Sequence, residues 1–120
     1  MGKPVVHFEF WSHDPQKLSD FYAKVFDWNI ETIPEMNYHI VNTGDEGGIQ
    51  GGIMKPHEGP WPGNMALYID VDDLDKYGRR ILEAGGKIIV DKMEIPNVGS
   101  FSLFADPDGR VLGIWRQIKQ

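Results

Sequence analysis

Midway along the chain, Pro56-His57-Glu58-Gly59-Pro60-Trp61-Pro62-Gly63 places three prolines and two glycines within eight residues. Proline lacks the backbone N–H that a helix interior or a central strand needs, so neither element can run through this stretch. The fold must be built from two parts joined here, and the two parts read alike. Before the break, Val5 to Trp11 alternates as a strand, with Val6, Phe8 and Phe10 on one face and Val5, His7, Glu9 and Trp11 on the other. Asp14 and Pro15 then open a helix as N-cap and first helical residue. Leu18, Phe21, Tyr22, Val25 and Phe26 mark its apolar stripe. Strand-like runs follow at Trp28 to Ile33, Tyr38 to Thr43 and Gly48 to Lys55, with Pro34 and the cluster Gly44-Asp45-Glu46-Gly47 as punctuation.

After the break the same order returns. Met65, Leu67, Ile69 and Val71 alternate with Asn64, Ala66, Tyr68 and Asp70. Asp72 or Asp73 caps a second helix whose buried stripe is Leu74, Tyr77, Ile81 and Ala84, and Gly85-Gly86 ends it. Three further strands are predicted at Lys87 to Glu94, Ser100 to Ala105 and Arg110 to Arg116, the last two joined by the turn Asp106-Pro107-Asp108-Gly109. The expectation is one α+β domain over residues 1–120, made of two βαβββ modules at about residues 3–56 and 63–118 with the linker 56–63 between them. If Val6, Phe8 and Phe10 pack under the first helix, and Met65, Leu67 and Ile69 under the second, the opposite strand faces turn away from the helices. Those faces carry His7, Glu9, Asn64, Tyr68 and Asp70. A mixed sheet curved into a cup, polar and aromatic within, is the predicted architecture.

Composition removes several classes of function. With 12 basic and 18 acidic residues the net charge is −6, which argues against a phosphate-backbone binder, so no nucleic-acid partner is expected. There is no cysteine. Disulfides, thiolate nucleophiles, Cys-ligated zinc and iron–sulfur clusters are therefore excluded. No apolar run approaches the ~18 residues of a membrane span, and no membrane partner is expected. Met-Gly-Lys-Pro-Val-Val lacks the apolar core of a signal peptide, and Val6 stands where a myristoylation motif has Ser or Thr. A cytoplasmic location is the default.

His7 at the start of strand 1, the run Asp20-Phe21-Tyr22-Ala23-Lys24-Val25-Phe26, the strand Ala66-Leu67-Tyr68-Ile69-Asp70-Val71 and the turn Asp106-Pro107-Asp108-Gly109 together resemble the glyoxalase/bleomycin-resistance superfamily, also called vicinal oxygen chelate. The resemblance spans about Val5 to Trp115. It implies paired βαβββ modules forming a cup, commonly within a homodimer. Members of that family include glyoxalase I, extradiol dioxygenases, methylmalonyl-CoA epimerase and drug-resistance proteins that modify or sequester an antibiotic. Its metal enzymes use four ligands, which fall here on His7, Gln50, Asn64 and Gly113. Only the first is a strong donor. A divalent ion wants at least three, so no cofactor is expected, and a metal held by His7 and Gln50 is the alternative.

The candidate site follows from the predicted face. His7 and Glu9, two apart on one strand, are the candidate catalytic pair, because imidazole both donates and accepts and a carboxylate can act as a base. Trp11, Gln50, Met54, Asn64, Tyr68 and Trp115 are the candidate ligand-binding residues, since aromatic and Met side chains suit a planar organic molecule. Ordinary core packing is the competing role for the aromatics. Gly48, Gly52 and Gly113 leave room on the same face. The acids Asp70, Asp72, Asp73 and Asp75 read as helix-start capping instead of a cation site. His57 and Trp61 could form a lid or a dimer contact. The expected function is binding of a small organic metabolite in the cup without the four-ligand metal. The alternatives are a metal-dependent lyase, isomerase or dioxygenase with an unusual ligand set, or an antibiotic-sequestering protein without catalysis.

Overall fold

The structure, a computed structural model, describes residues 2–44, 47–56 and 63–118, apart from the side chain of Met36. The linker residues His57 and Trp61, and the Asp45-Glu46 part of the predicted turn, lie outside the described residues. The element order is β1 (Val5–Trp11), α1 (Pro15–Phe26), β2 (Asn29–Ile33), a 3-10 turn (Pro34–Met36), β3 (Tyr38–Asn42), β4 (Gln50–Met54), β5 (Met65–Asp70), α2 (Leu74–Glu83), β6 (Lys87–Ile95), β7 (Gly99–Ala105) and β8 (Val111–Gln117). This is the doubled βαβββ order that the alternation and caps predict; the 3-10 turn at Pro34 is the one element they do not. The chain divides into two compact units, His7–Met65 and Ala66–Gln120, the latter taking in Met1–Val6.

In the His7–Met65 unit the strand order is β2-β3-β4-β1, with β1 parallel to β4 and the other pairs antiparallel. α1 starts where Asp14 accepts the Lys17 N–H at 3.2 Å and Pro15 supplies a pre-set φ. It ends at Asp27, in the left-handed region at φ 58°. Tyr22 of its predicted stripe meets an aromatic cluster, whereas Phe21, Val25 and Phe26 are exposed. The Tyr22 and Trp28 rings stack at 4.9 Å, Phe10 lies 5.4 Å from Tyr22, and Phe8 lies 5.8 Å from Trp28. Phe10 therefore faces α1 and Phe8 packs on Trp28 just beyond its end, while Val6 is exposed. Val41 and Ile53 are fully buried. Gly51 is small because the Phe8 ring occupies the place of its side chain.

The Ala66–Gln120 unit repeats the plan with order β5-β8-β7-β6 and a parallel β5·β8 pair. Asp73 is the helix cap, accepting the Lys76 N–H at 3.1 Å, and that bond holds its carboxyl below the usual range. Val71, Leu74 and Ile114 form the buried cluster, with Ile69, Tyr77, Ile81 and Phe104 against it. Each fully buried aliphatic side chain of this kind contributes about 1.5–3 kcal/mol. Ala84, predicted on the stripe, is the exposed C-cap. On β5 the apolar face is not the deeply buried one, so Met65 and Leu67 do not pack under α2 as expected. Met65 and Leu67 are 44% and 37% exposed, whereas Ala66 and Tyr68 are 2% and 4% exposed. Only Ile69 of the apolar trio joins the α2 cluster. Alternation identifies two faces of a strand; it does not say that the more apolar one is the more deeply buried.

Candidate site on the inner face of the first strand

β1 sets His7, Glu9 and Trp11 on one face at every second position. The parallel register puts Gln50 opposite His7, Gly52 opposite Glu9 and Met54 opposite Trp11. Five of the residues read from the sequence as site candidates are thus brought together by two neighbouring strands. Glu9 and Trp11 are both 7% exposed, so this face is more closed than an open cup would be.

A carboxylate so buried needs donors. Trp11 Nε1–H donates to Glu9 Oε1 at 2.8 Å, and the Tyr38 hydroxyl donates to Glu9 Oε2 at 2.9 Å. The same hydroxyl lies 3.1 Å from His7 Nε2. Burial pushes the His7 imidazole below its ordinary pKa, because desolvation penalises the charged ring. Tyr38, from β3, is the member that sequence reasoning missed. Its ring crosses β4 over Gly52, where a Cβ would fall on the phenol. That glycine, inside a strand and opposite a buried acid, was the available signal.

The remaining candidates are placed differently. The Gln50 Oε1 accepts the Thr43 N–H at 2.8 Å, tying the amide to the end of β3. Asn64 is exposed and precedes β5, whereas His7 is the third residue of β1, so the two do not hold matching places in their strands. The Asn64 carbonyl accepts the Trp11 backbone N–H at 2.8 Å. Tyr68, Gly113 and Trp115 belong to the Ala66–Gln120 unit. There the Tyr68 ring covers Gly113, its register partner, and meets Phe101 edge-on at 5.9 Å. Trp115 is half-buried beside Gly99. Two surface depressions of this unit, about 570 and 320 Å³, lie along α2 and at its start, and neither is lined by a candidate residue.

The four positions that the family resemblance assigns to a metal fit one poorly. One His7 nitrogen is engaged with a phenol, the Gln50 oxygen with a backbone N–H, Asn64 is exposed, and Gly113 has no donor and a ring in its side-chain space. Among the described residues there is no cluster of three or more His, Cys, Asp or Glu side chains able to hold an ion. Two of the acids at the start of α2 have structural roles: Asp73 caps the helix and Asp75 pairs with Lys92 at 3.2 Å. Among the described residues no helix is long and apolar enough to cross a membrane.

Comparison with known proteins agrees with the fold. Residues 5–114 match the family model described as Glyoxalase/Bleomycin resistance protein/Dioxygenase superfamily. A Mycobacterium bovis protein named "Putative glyoxylase CFP32" is 30% identical over 115 residues, covering 93% of this chain and 43% of its own length. The anthracycline biosynthesis protein DnrV of Streptomyces peucetius is 26% identical over 125 residues, covering 92% of this chain and 46% of its own. The chain thus spans less than half the length of these relatives. The solved structure of a glyoxalase/bleomycin resistance protein/dioxygenase superfamily member from Vibrio splendidus superposes with a TM-score of 0.63. It is 16% identical and covers 98% of this chain and all of that one.

Proposed function

Because the chain belongs to the Glyoxalase/Bleomycin resistance protein/Dioxygenase superfamily, we propose that it binds a small, planar, polar organic metabolite at the β1–β4 face, without the four-ligand metal of the family's metal enzymes. The observation that carries this reading is the linked set His7, Tyr38, Glu9 and Trp11. The Tyr38 hydroxyl bridges His7 and Glu9 while Trp11 holds the other carboxylate oxygen, a geometry set before any ligand arrives, and such preorganisation favours binding by reducing the ordering cost. Both Glu9 oxygens accept hydrogen bonds from the protein, which supports an anchoring role for this carboxylate over that of a general base. The name of the DnrV relative, an anthracycline biosynthesis protein, supports a planar polycyclic ligand class. The reading also takes the protein to be a cytoplasmic homodimer.

The test is a fluorescence titration with a hydroxyanthraquinone, alongside mass spectrometry of whatever co-purifies. Binding should perturb tryptophan emission. His7→Ala should weaken it roughly tenfold or more, since loss of one hydrogen-bonding group in a desolvated site costs ~1–3 kcal/mol. A retained metal at one ion per chain, lost on His7→Ala, would overturn the metal-free reading. Binding that ignores His7→Ala would overturn the location. Light scattering at micromolar concentration checks the dimer.

A further inference from the structure

The inner face of the His7–Met65 unit continues past Tyr38 to the edge strand β2. Tyr38 meets Glu9 on that face, so its neighbour His39 turns to the opposite side, where its Nδ1 lies 2.9 Å from the Thr32 hydroxyl. Ile40 and Glu31, each one position along, therefore face inward. The registers set a row across the sheet: Glu9 opposite Gly52, Gly52 opposite Ile40, and Ile40 opposite Glu31. Ile40 is 41% exposed, and Glu31 is exposed beside it. With neighbouring strands ~4.8 Å apart, Glu31 stands roughly 14 Å from Glu9 along this row.

The charge of the four strands is one-sided. β1 to β4 contain no lysine or arginine, and their acids are Glu9 and Glu31, both turned inward. Glu9 is buried beneath its donors. Glu31 makes no hydrogen bond or ion pair with another described residue. An anionic ligand laid on these strands meets like charge and no fixed cation of theirs to hold it. An ammonium group meets an open carboxylate at the end of an apolar step. We propose that the ligand of this site is an organic cation, its flat body over Tyr38 and Ile40 and its ammonium group paired with Glu31. Glu31 is then a specificity-determining residue. The inference rests on the β1–β4 face being the ligand site, and adds the charge of what that face takes.

The experiment is the tryptophan fluorescence titration with three hydroxyanthraquinones that differ only in one side arm, ended by trimethylammonium, hydroxyl or sulfonate. The cationic probe should bind roughly two- to fivefold more tightly than the hydroxyl probe, the worth of one exposed ion pair, and the sulfonate should bind most weakly. Added salt should shrink the difference. In Glu31→Gln the cationic preference should vanish, and in Glu31→Lys the sulfonate should become the tightest of the three. An acid on an edge strand also discourages edge-to-edge pairing; if that were its whole role, the ranking would be the same in every variant. Equal binding of the three probes, a wild-type preference for the sulfonate, or a cationic preference that survives Glu31→Lys would overturn the proposal and leave the binding reading in place. Failure of every probe to perturb tryptophan emission would overturn the binding reading itself, and this inference with it.

Discussion

Replacing Glu9 by alanine should be among the most damaging single changes to the His7–Met65 unit. Glu9 accepts from Trp11 at 2.8 Å and from Tyr38 at 2.9 Å while only 7% exposed. Hydrogen bonds to a charged group are worth about 1.5–3 kcal/mol each. Two of them set a loss of roughly 3–6 kcal/mol, offset in part because a costly buried charge is removed as well. A net loss of about 2–5 kcal/mol is expected, a large share of the ~5–15 kcal/mol that holds an ordinary domain together. Glu9→Gln keeps the shape. Its single oxygen can serve the Trp11 indole, and the Tyr38 hydroxyl can turn to accept from the amide. Only charge assistance is lost, about 1 kcal/mol. Equilibrium urea unfolding, followed by tryptophan emission and far-ultraviolet dichroism, reads both variants. With a slope of ~1.5 kcal/mol per molar, a loss of 3 kcal/mol moves the midpoint by about 2 M. An alanine variant within about 0.5 kcal/mol of wild type would refute the reasoning, as would a glutamine variant equally damaged.

Gly52→Ala should push the Tyr38 ring off Glu9 and cost about 1–3 kcal/mol by overpacking, read as a lower urea midpoint. Asp73→Ala removes the α2 cap and should cost about 1 kcal/mol, while Asp73→Asn, which still accepts the Lys76 N–H, should cost less in the same assay. Folding holds His7 below its ordinary value of 6.5, so the unfolded chain takes up that proton first as pH falls. The His7 contribution to stability should be complete above pH 6.5 and decline below it. His7→Gln should flatten that part of the pH profile of the urea midpoint.

The element order was legible because it is written locally. Asp14-Pro15 and Asp73 are capping signals, and β1 and the two helices carry their periods in adjacent residues. What alternation could not supply was depth. Met65 and Leu67 are more apolar than Ala66, yet Ala66 is the buried one. Glu9 was legible as an acid on the polar face, but its partners were not. Tyr38 lies 29 residues from Glu9 and 31 from His7, and meets them only through the register of β3 on β4 and β4 on β1. Such register is set by long-range packing and turn geometry, and no local pattern near Tyr38 reports it. For the same reason Gln50 could be placed on the face while its bond to Thr43 could not.

The parallel pairing of β1 with β4 also bears on the order in which the unit forms. β2 and β3 are joined through four residues, whereas His7 must find Gln50 at a separation of forty-three. Closing the longer loop costs more entropy before any contact rewards it, so the β2-β3-β4 meander is expected to assemble ahead of β1. Substitutions at Val41, within the meander, should then chiefly slow folding, and those at Glu9 chiefly speed unfolding. The bridge from Tyr38 to Glu9 is made when β1 docks and broken when it leaves. Partial opening that releases only β1 should dismantle the candidate site while β3 and β4 stay paired, and the Trp11 indole N–H should exchange with solvent sooner than the Val41 amide.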